Sequence, residues 1–422
     1  MSTKNKTHIH WFRNDLRLFD QPFGSFLEKA DSFFGVYVID PNDYRWLSYG
    51  FRKSSLGRLQ FLRESLQDLQ QQLRKKGSDL LVKVGRPEEI LSELISSKNG
   101  ILTFQKEYTT EERKAQETVI SRLANDQYHC YDGGFLITPS ELPLNESFPK
   151  SFSGFRKKAE RLLKNKQWDK PVDEIYIPKS NERFATIKSS KRKVHANSDV
   201  PWRGGNSEGM KRLMYYLFES EEVKYYKEKR NGLTGTNYSS KLSLYLGNGA
   251  LSPATIMHYL KRFETEVTAN KSTYWLFFEL LWRDFFRHAG VFYKDQLFFD
   301  KGITNNSLTV NPHKSAFDWW ILGNTKNDFI DANMRTLLFT GYMSNRGRQN
   351  VASYLIYNLK EDWKKGAAWF EHCLLDYDVY SNQGNWLYIA GLGFDPKGGR
   401  VFDIDFQAER YDQNREFRNK WI

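Results

Sequence analysis

Over the first third of the chain, short apolar runs alternate with stretches in which apolar residues recur every three or four positions. The runs at residues 9–12, 33–39, 80–84 and 101–104 have the length of buried strands. Between two of them, Leu56, Leu59, Leu62, Leu66, Leu69 and Leu73 mark one face of a helix, with Ser54 or Ser55 placed to cap its start and Gly77 to stop it. Strand and helix in alternation predict an α/β domain with a doubly wound parallel sheet over residues 1–135. Residues 136–205 read as a polar connector, punctuated by Pro139, Pro143, Pro149, Pro171, Pro178 and Pro201 and carrying the basic run from Lys188 to Lys193. Beyond it, helical periodicity dominates at 210–226, 253–263, 274–288, 332–339, 350–358 and 363–375, which predicts an all-α domain over residues 206–422.

A chain of 422 residues exceeds what one hydrophobic core usually holds, in keeping with two domains. Aromatic residues make up 16% of it, which fits a large stacked ligand or a dense helical core. The formal net charge of +12 favours a polyanionic partner, with nucleic acid the leading class. Only Cys130 and Cys373 are present, far apart, which excludes a disulfide framework and a paired-cysteine metal or redox motif and implies a reducing, cytoplasmic setting. Glu279, Arg283 and Asp284 interrupt the most apolar helix, so no membrane span is expected. His8, His10, His129 and His372 show no ligand spacing, and no metal site is expected. The pairs Gly391/Gly393 and Gly247/Gly249 lack the strand-turn-helix setting of a dinucleotide fingerprint and read as turns.

Three segments carry candidate chemistry. Residues 376–388 crowd Asp376, Asp378, Asn382 and Asn385 among Tyr377, Tyr380, Trp386 and Tyr388. That mixture suits a buried planar heteroaromatic ligand, or equally a turn-rich Asx loop with Trp386 and Tyr388 as core anchors. Glu279, Trp282 and Arg283 share one helix face, as an internal Glu279–Arg283 ion pair or as part of a site. The hydroxyl-rich run Ser239-Ser240-Lys241-Leu242-Ser243 suits a diphosphate, and taken alone it is only a Ser-rich loop.

With the segments 10–18, 275–288 and 333–353 added, the chain resembles the photolyase/cryptochrome flavoproteins from about Ile9 to Trp421, and the wording around Gly341 and Asp376 resembles the DASH cryptochromes. The resemblance implies one non-covalent FAD in the helical domain. Its diphosphate would be held by Tyr226, Ser239, Ser240, Lys241, Leu242, Ser243 and Arg283. Its ring would lie among Asn345, Arg348, Asp376, Asp378 and Asn382, with Arg348 paired to Asp376 and Asn382 facing the reactive ring nitrogen. Glu279, Trp282, Arg346, Gln349 and Tyr388 would meet the substrate, a cyclobutane pyrimidine dimer split by an electron from the light-excited reduced flavin. Tyr388 and Gln349 stand where duplex-repairing relatives more often carry Trp and Met, which points to single-stranded DNA. The alternative in another class is a blue-light photoreceptor, or a DNA- or RNA-binding regulator, without repair. Repair of (6-4) photoproducts would call for a histidine acid, and residues 341–350 contain none. A monomer is expected.

Two departures from the family stand out. Electron supply to the ring would run through Trp386 and Trp363, but the third tryptophan position falls near Leu308, with Trp319 or Trp320 as unplaced substitutes. The segment 323–329 opens on Gly323 but lacks the closing Gly and Pro of the turn usual in the family. The resemblance further suggests a methenyltetrahydrofolate antenna bound by Glu107 just past a strand end; the alternative is a helix-start acid favoured by the dipole.

Overall fold

The computed structural model describes residues 6–28, 30–144, 147–168, 175–188 and 192–422. Five strands, β1 (Thr7–Trp11), β2 (Ser32–Ile39), β3 (Leu80–Val84), β4 (Gly100–Gln105) and β5 (Tyr128–Tyr131), form one parallel sheet in the order β3-β2-β1-β4-β5. In central β1, Ile9 pairs with Phe34 on one side and Leu102 on the other, and every residue of β4 is buried. Sheets covered on both faces produce such unbroken apolar runs. Strand β5 was not predicted, because His129 and Cys130 dilute its apolar signal.

Helices α1 (Leu56–Lys75), α2 (Pro87–Lys98) and α3 (Thr110–Ile120) connect the later strands. Ser55 is the α1 cap, its hydroxyl accepting from Arg58 N–H at 3.2 Å, and Gly77 follows the helix end at φ +82°. Leu66, Leu69 and Leu73 face the core, whereas Leu56 at the helix start is exposed.

The 136–205 segment is more ordered than its composition suggests. It carries α4 (Phe152–Leu163), whose Phe152, Phe155, Ala159 and Leu163 are buried. Pro171 and half of the predicted basic run, residues 189–191, lie outside the described residues.

The remainder is helical: α5 (Asn206–Met214), α6 (Pro253–Glu266), α7 (Lys271–Tyr293), α8 (Ala316–Leu322), α9 (Asp328–Thr340), α10 (Asn345–Ser353), α11 (Trp363–Cys373) and α12 (Val379–Ala390). Two expectations need correction. The helix predicted at 210–226 ends at Met214 and continues as a π turn at Tyr215–Glu219, and the one predicted at 350–358 ends in a π turn at Tyr354–Asn358. Residues 379–390, read as turn-rich, form α12, because Asp378 caps it by accepting from Tyr380 N–H at 3.1 Å and the Ser381 hydroxyl at 2.9 Å. Helices α7 and α12 pack closely through Gly384, where a Cβ would fall 2.1 Å from the Phe286 ring. That contact sets two walls of the site against each other.

Candidate functional site in the helical half

Helical periodicity builds the walls. On α12, Ser381, Asn382, Asn385, Trp386 and Ile389, together with the cap Asp378, face one cavity of about 560 Å³. Asn345, Arg348, Gln349 and Ala352 face it from α10, at the i, i+3, i+4 and i+7 positions of a single stripe. A second cavity of about 1580 Å³, open mouth included, adjoins it and shares Asn345, Arg348, Gln349, Asp376, Asp378, Ser381 and Asn385. Its other walls are the 239–243 segment and α7, through Phe278, Glu279, Trp282, Arg283 and Phe286.

At the junction of the cavities lies an ion pair. Arg348 Nη2 donates to Asp376 Oδ2 at 2.8 Å and Oδ1 at 3.0 Å, Ser243 Oγ donates to Oδ2 at 2.7 Å, and Arg348 Nε donates to the Met343 carbonyl at 2.9 Å. The Asp376 side chain is 1% exposed, so the carboxylate depends on these donors. Asn382 is anchored by Nδ2 donating to the Ala367 carbonyl at 3.1 Å, which leaves most of its amide bonding capacity unspent at the cavity wall.

The 239–243 segment presents hydroxyls and one unusual cation. Lys241, at φ +59°, is buried with its Nζ lacking a hydrogen-bond partner and lying 3.2 Å from the centre of the Tyr238 ring and 4.7 Å from that of Tyr342. Burial pushes its ammonium well below the usual lysine range. Buried atoms without partners along the same walls include Arg283 Nε, Gln349 Oε1 and Trp386 Nε1. Hydroxyls, an unpaired cation and unspent donors around a large cavity fit an anionic, heteroaromatic dinucleotide.

Glu279 and Arg283 do not pair with each other. Glu279 accepts from Arg230 Nη1 at 2.5 Å; Arg283 donates from Nη1 to the Gly134 carbonyl at 2.6 Å, with Nε 3.8 Å from Asp378. Desolvation raises the Glu279 carboxyl above its ordinary value against the pull of Arg230. At the mouth, Trp282 stands edge-on to Tyr388, ring centres 5.7 Å apart, and its flat face is covered by Phe152 of α4 at 3.8 Å. Sequence reasoning missed Phe152, because α4 fell in the supposed connector. Ser381 and Asn385, which belong to the 376–388 segment but received no role there, line the wall on the capped helix, and Arg230 as the partner of Glu279 was missed.

Three predicted residues lie elsewhere. Arg346 points away, donating to Asn231 Oδ1 at 3.2 Å with its guanidinium 4.8 Å from the centre of the Tyr411 ring. Trp363 is buried on α11 and lines a different cavity, of about 930 Å³, between the sheet half and the helical half. Glu107 is fully buried: its Oε2 accepts from Arg287 Nη2 at 3.2 Å and the Tyr380 hydroxyl at 2.6 Å, and its Oε1 from Gln105 at 3.1 Å. Here the Glu107 carboxylate, expected from the resemblance to meet a pterin, bolts β4 to α7 and α12. Burial alone would raise that carboxyl, but Arg287, Arg13 and its hydrogen bonds outweigh burial and hold it below the ordinary range. Among the described residues no cluster suits a metal ion, and no helix is long and apolar enough to cross a membrane.

Known proteins match this arrangement along its length. Residues 8–175 match DNA photolyase, and residues 275–422 match the FAD binding domain of DNA photolyase. The chain is 37% identical over 432 residues to the cryptochrome DASH of Danio rerio, covering 99% of this chain and 83% of that protein. The crystal structure of the Synechocystis sp. PCC6803 cryptochrome superposes with a TM-score of 0.92 at 37% identity, covering 100% of this chain and 89% of that one. A photolyase from Sulfolobus tokodaii, solved with two FAD molecules, superposes at 0.80 with 26% identity, covering 99% and 90%. A two-cavity site walled by hydroxyls, the Arg348–Asp376 clasp and α12, within a chain alike from end to end, makes this an FAD-binding member of the photolyase/cryptochrome family, grouped with the DASH cryptochromes.

Proposed function

We propose that the chain repairs cyclobutane pyrimidine dimers in single-stranded DNA under blue light. The observation that carries this reading is the continuity of the clasped inner cavity with a mouth that holds Glu279, Trp282, Gln349 and Tyr388 together. When bound, FAD supplies the light-absorbing, electron-donating ring.

The protein's part is position and electrostatics. Ser239, Ser240, Ser243, Lys241 and Arg283 would take the diphosphate, which gives the Lys241 ammonium the anion it lacks. Arg348 and Asp376, held to each other and by Ser243 and Met343, would present a fixed donor and acceptor to the polar edge of the ring, with Asp378 beside them. Asn382 would offer its free amide to the ring nitrogen whose protonation follows redox state. Glu279, with its raised carboxyl, holds a proton more readily than an exposed glutamate and so can donate a hydrogen bond to a pyrimidine carbonyl.

A dimer must leave its stack to enter, which costs least in single strands. Tyr388 and the open edge of Trp282 would receive it, while the net charge of +12 draws the backbone in. The test is light-dependent loss of dimers from a single-stranded oligonucleotide by reduced FAD-loaded protein, with Glu279→Gln slower than wild type. Full retention of dimers by the wild type refutes the reading. A second reading, a light-responsive nucleic-acid binder without repair, is favoured by one observation: Phe152 already stacks on Trp282 and takes up one face that a base would use.

A further inference from the structure

We propose that electrons reach Trp386 through Trp320 and Trp319 of α8, so that this chain feeds its site by a branch other than the Trp363 route. The proposal rests on the FAD reading above. Trp386 lines the inner cavity, and its ring centre lies 6.4 Å from that of Trp320 at an interplanar angle of 69°. Phe370 fills the same corner, 5.1 Å from Trp386 and 6.2 Å from Trp320. Trp320 is fully buried and donates its indole N–H to the Val351 carbonyl at 3.0 Å. Its sequence neighbour Trp319 is 38% exposed and stacks on His313 with ring centres 4.7 Å apart. Two packed oxidisable indoles thus lead back from the cavity wall, and the adjacent residue on α8, Trp319, carries a third at the solvent-exposed surface. On the other side Trp363 is buried, its indole N–H 3.4 Å from the Asp300 carbonyl, and Leu308, near which the family resemblance puts a third tryptophan, is half-buried and has no ring to oxidise.

The local chemistry gives the branch a direction. One electron passes from Trp386 to the light-excited oxidised flavin ring, one from Trp320 to the Trp386 cation radical, and one from Trp319 to the Trp320 cation radical. A backbone carbonyl is too weak a base to take the indole proton, so Trp320 keeps its proton and passes the charge on. At exposed Trp319 the cation radical releases its indole proton to water and becomes a neutral radical, which slows the return. A soluble thiol then restores Trp319 by giving up a hydrogen atom and becomes a thiyl radical. Without thiol, molecular oxygen adds to the neutral radical and marks Trp319 covalently.

The test uses the FAD-loaded full chain, oxidised and illuminated with blue light in aerated buffer, with indole oxidation products mapped by peptide mass spectrometry. The expected result is a light-dependent product at Trp319 that thiol suppresses and that is lost in Trp386→Phe and in Trp320→Phe, although Trp319 remains exposed in both. An undiminished Trp319 product in Trp320→Phe overturns the branch, as does a product at Trp363 with none at Trp319. No light-dependent product at any indole of a yellow, FAD-loaded sample overturns the branch and leaves the FAD reading standing, whereas a colourless sample that cannot be reconstituted with FAD overturns that reading. Should Trp320→Phe fail to fold, Trp319→Phe at the solvent-facing position decides: the light-generated indole radical seen by transient EPR should be shorter-lived, and an unchanged lifetime overturns the proposal.

Discussion

Replacing Glu107 with Gln removes one charge from the seam between the sheet and the helices while keeping the side chain's shape. In the wild type, Glu107 and Arg287 are 0% and 4% exposed and lie 3.2 Å apart, so neither charge has water to fall back on. Removing one partner of such a pair leaves the other charge uncompensated, at a cost of about 3–5 kcal/mol. An amide oxygen can still accept from the Tyr380 hydroxyl and from Arg287, which places Glu107→Gln near 3 kcal/mol, the lower end of that range. The pH dependence has a definite sign. The folded carboxyl is held below its unfolded value, so its stabilisation is present above the ordinary glutamate range and is lost as pH falls through it. Urea denaturation followed by circular dichroism should therefore show a gap between wild type and Glu107→Gln that is widest at neutral pH and narrows on acidification. Adding Arg287→Met to Glu107→Gln should restore much of the loss, because an apolar side chain has no charge to leave unpaired. A single variant within about 0.5 kcal/mol of wild type at pH 7 would sink the structural role assigned to Glu107.

Other outcomes follow from the same geometry. Glu371, on α11 with Lys53 3.6 Å away, has its carboxyl pushed up to about 7 from 4.5 by burial, so it weakens the fold as pH rises through that window. Glu371→Gln should flatten the pH profile and add about 3 kcal/mol at pH 8, read by denaturant melts; no change would show that the group charges freely. Arg348→Ala leaves Asp376 buried with only Ser243 and should lower both stability, by about 3 kcal/mol, and FAD retention on gel filtration; retained yellow colour and stability would remove the clasp from the site. Asn382→Ala should keep FAD bound but shift its photoreduction spectra, and unchanged spectra would take Asn382 away from the ring. Trp282→Ala should cost about 1–3 kcal/mol of preference for dimer-bearing over undamaged strands in salt-matched binding assays, and equal discrimination would show that the lesion does not stack there.

Much of the fold was legible where one period ran uninterrupted. Strands β2 and β4 are apolar because both faces of the sheet are covered there, the edge strand β3 keeps only Leu80 and Leu81 buried, and α1 shows its leucine stripe and both end signals. Legibility failed where a local signal competed with a longer one. Asp376 and Asp378 read as turn residues, yet Asp378 is a cap, and the polar face behind it lines a cavity rather than solvent. On α10, helical period was read only from residue 350, so Asn345, Arg348 and Gln349 came from the family resemblance and not from periodicity. Glu107 sits where the sequence places it, just past β4, but only the tertiary fold brings Arg287 and Tyr380 onto its oxygens. Trp320 lies 66 residues from Trp386 in sequence and meets it only because α8 packs behind the cavity wall.

The most direct measurement is single-turnover repair by the chemically reduced, FAD-loaded chain, flashed with blue light on one dimer-bearing oligonucleotide presented first as a single strand and then annealed to its complement. Dimer loss after each flash, larger for the single strand and absent in the dark, is the expected result. Tight, light-independent binding of both forms with every dimer left intact would contradict a repair function and leave the chain as a flavoprotein that binds nucleic acid without acting on it.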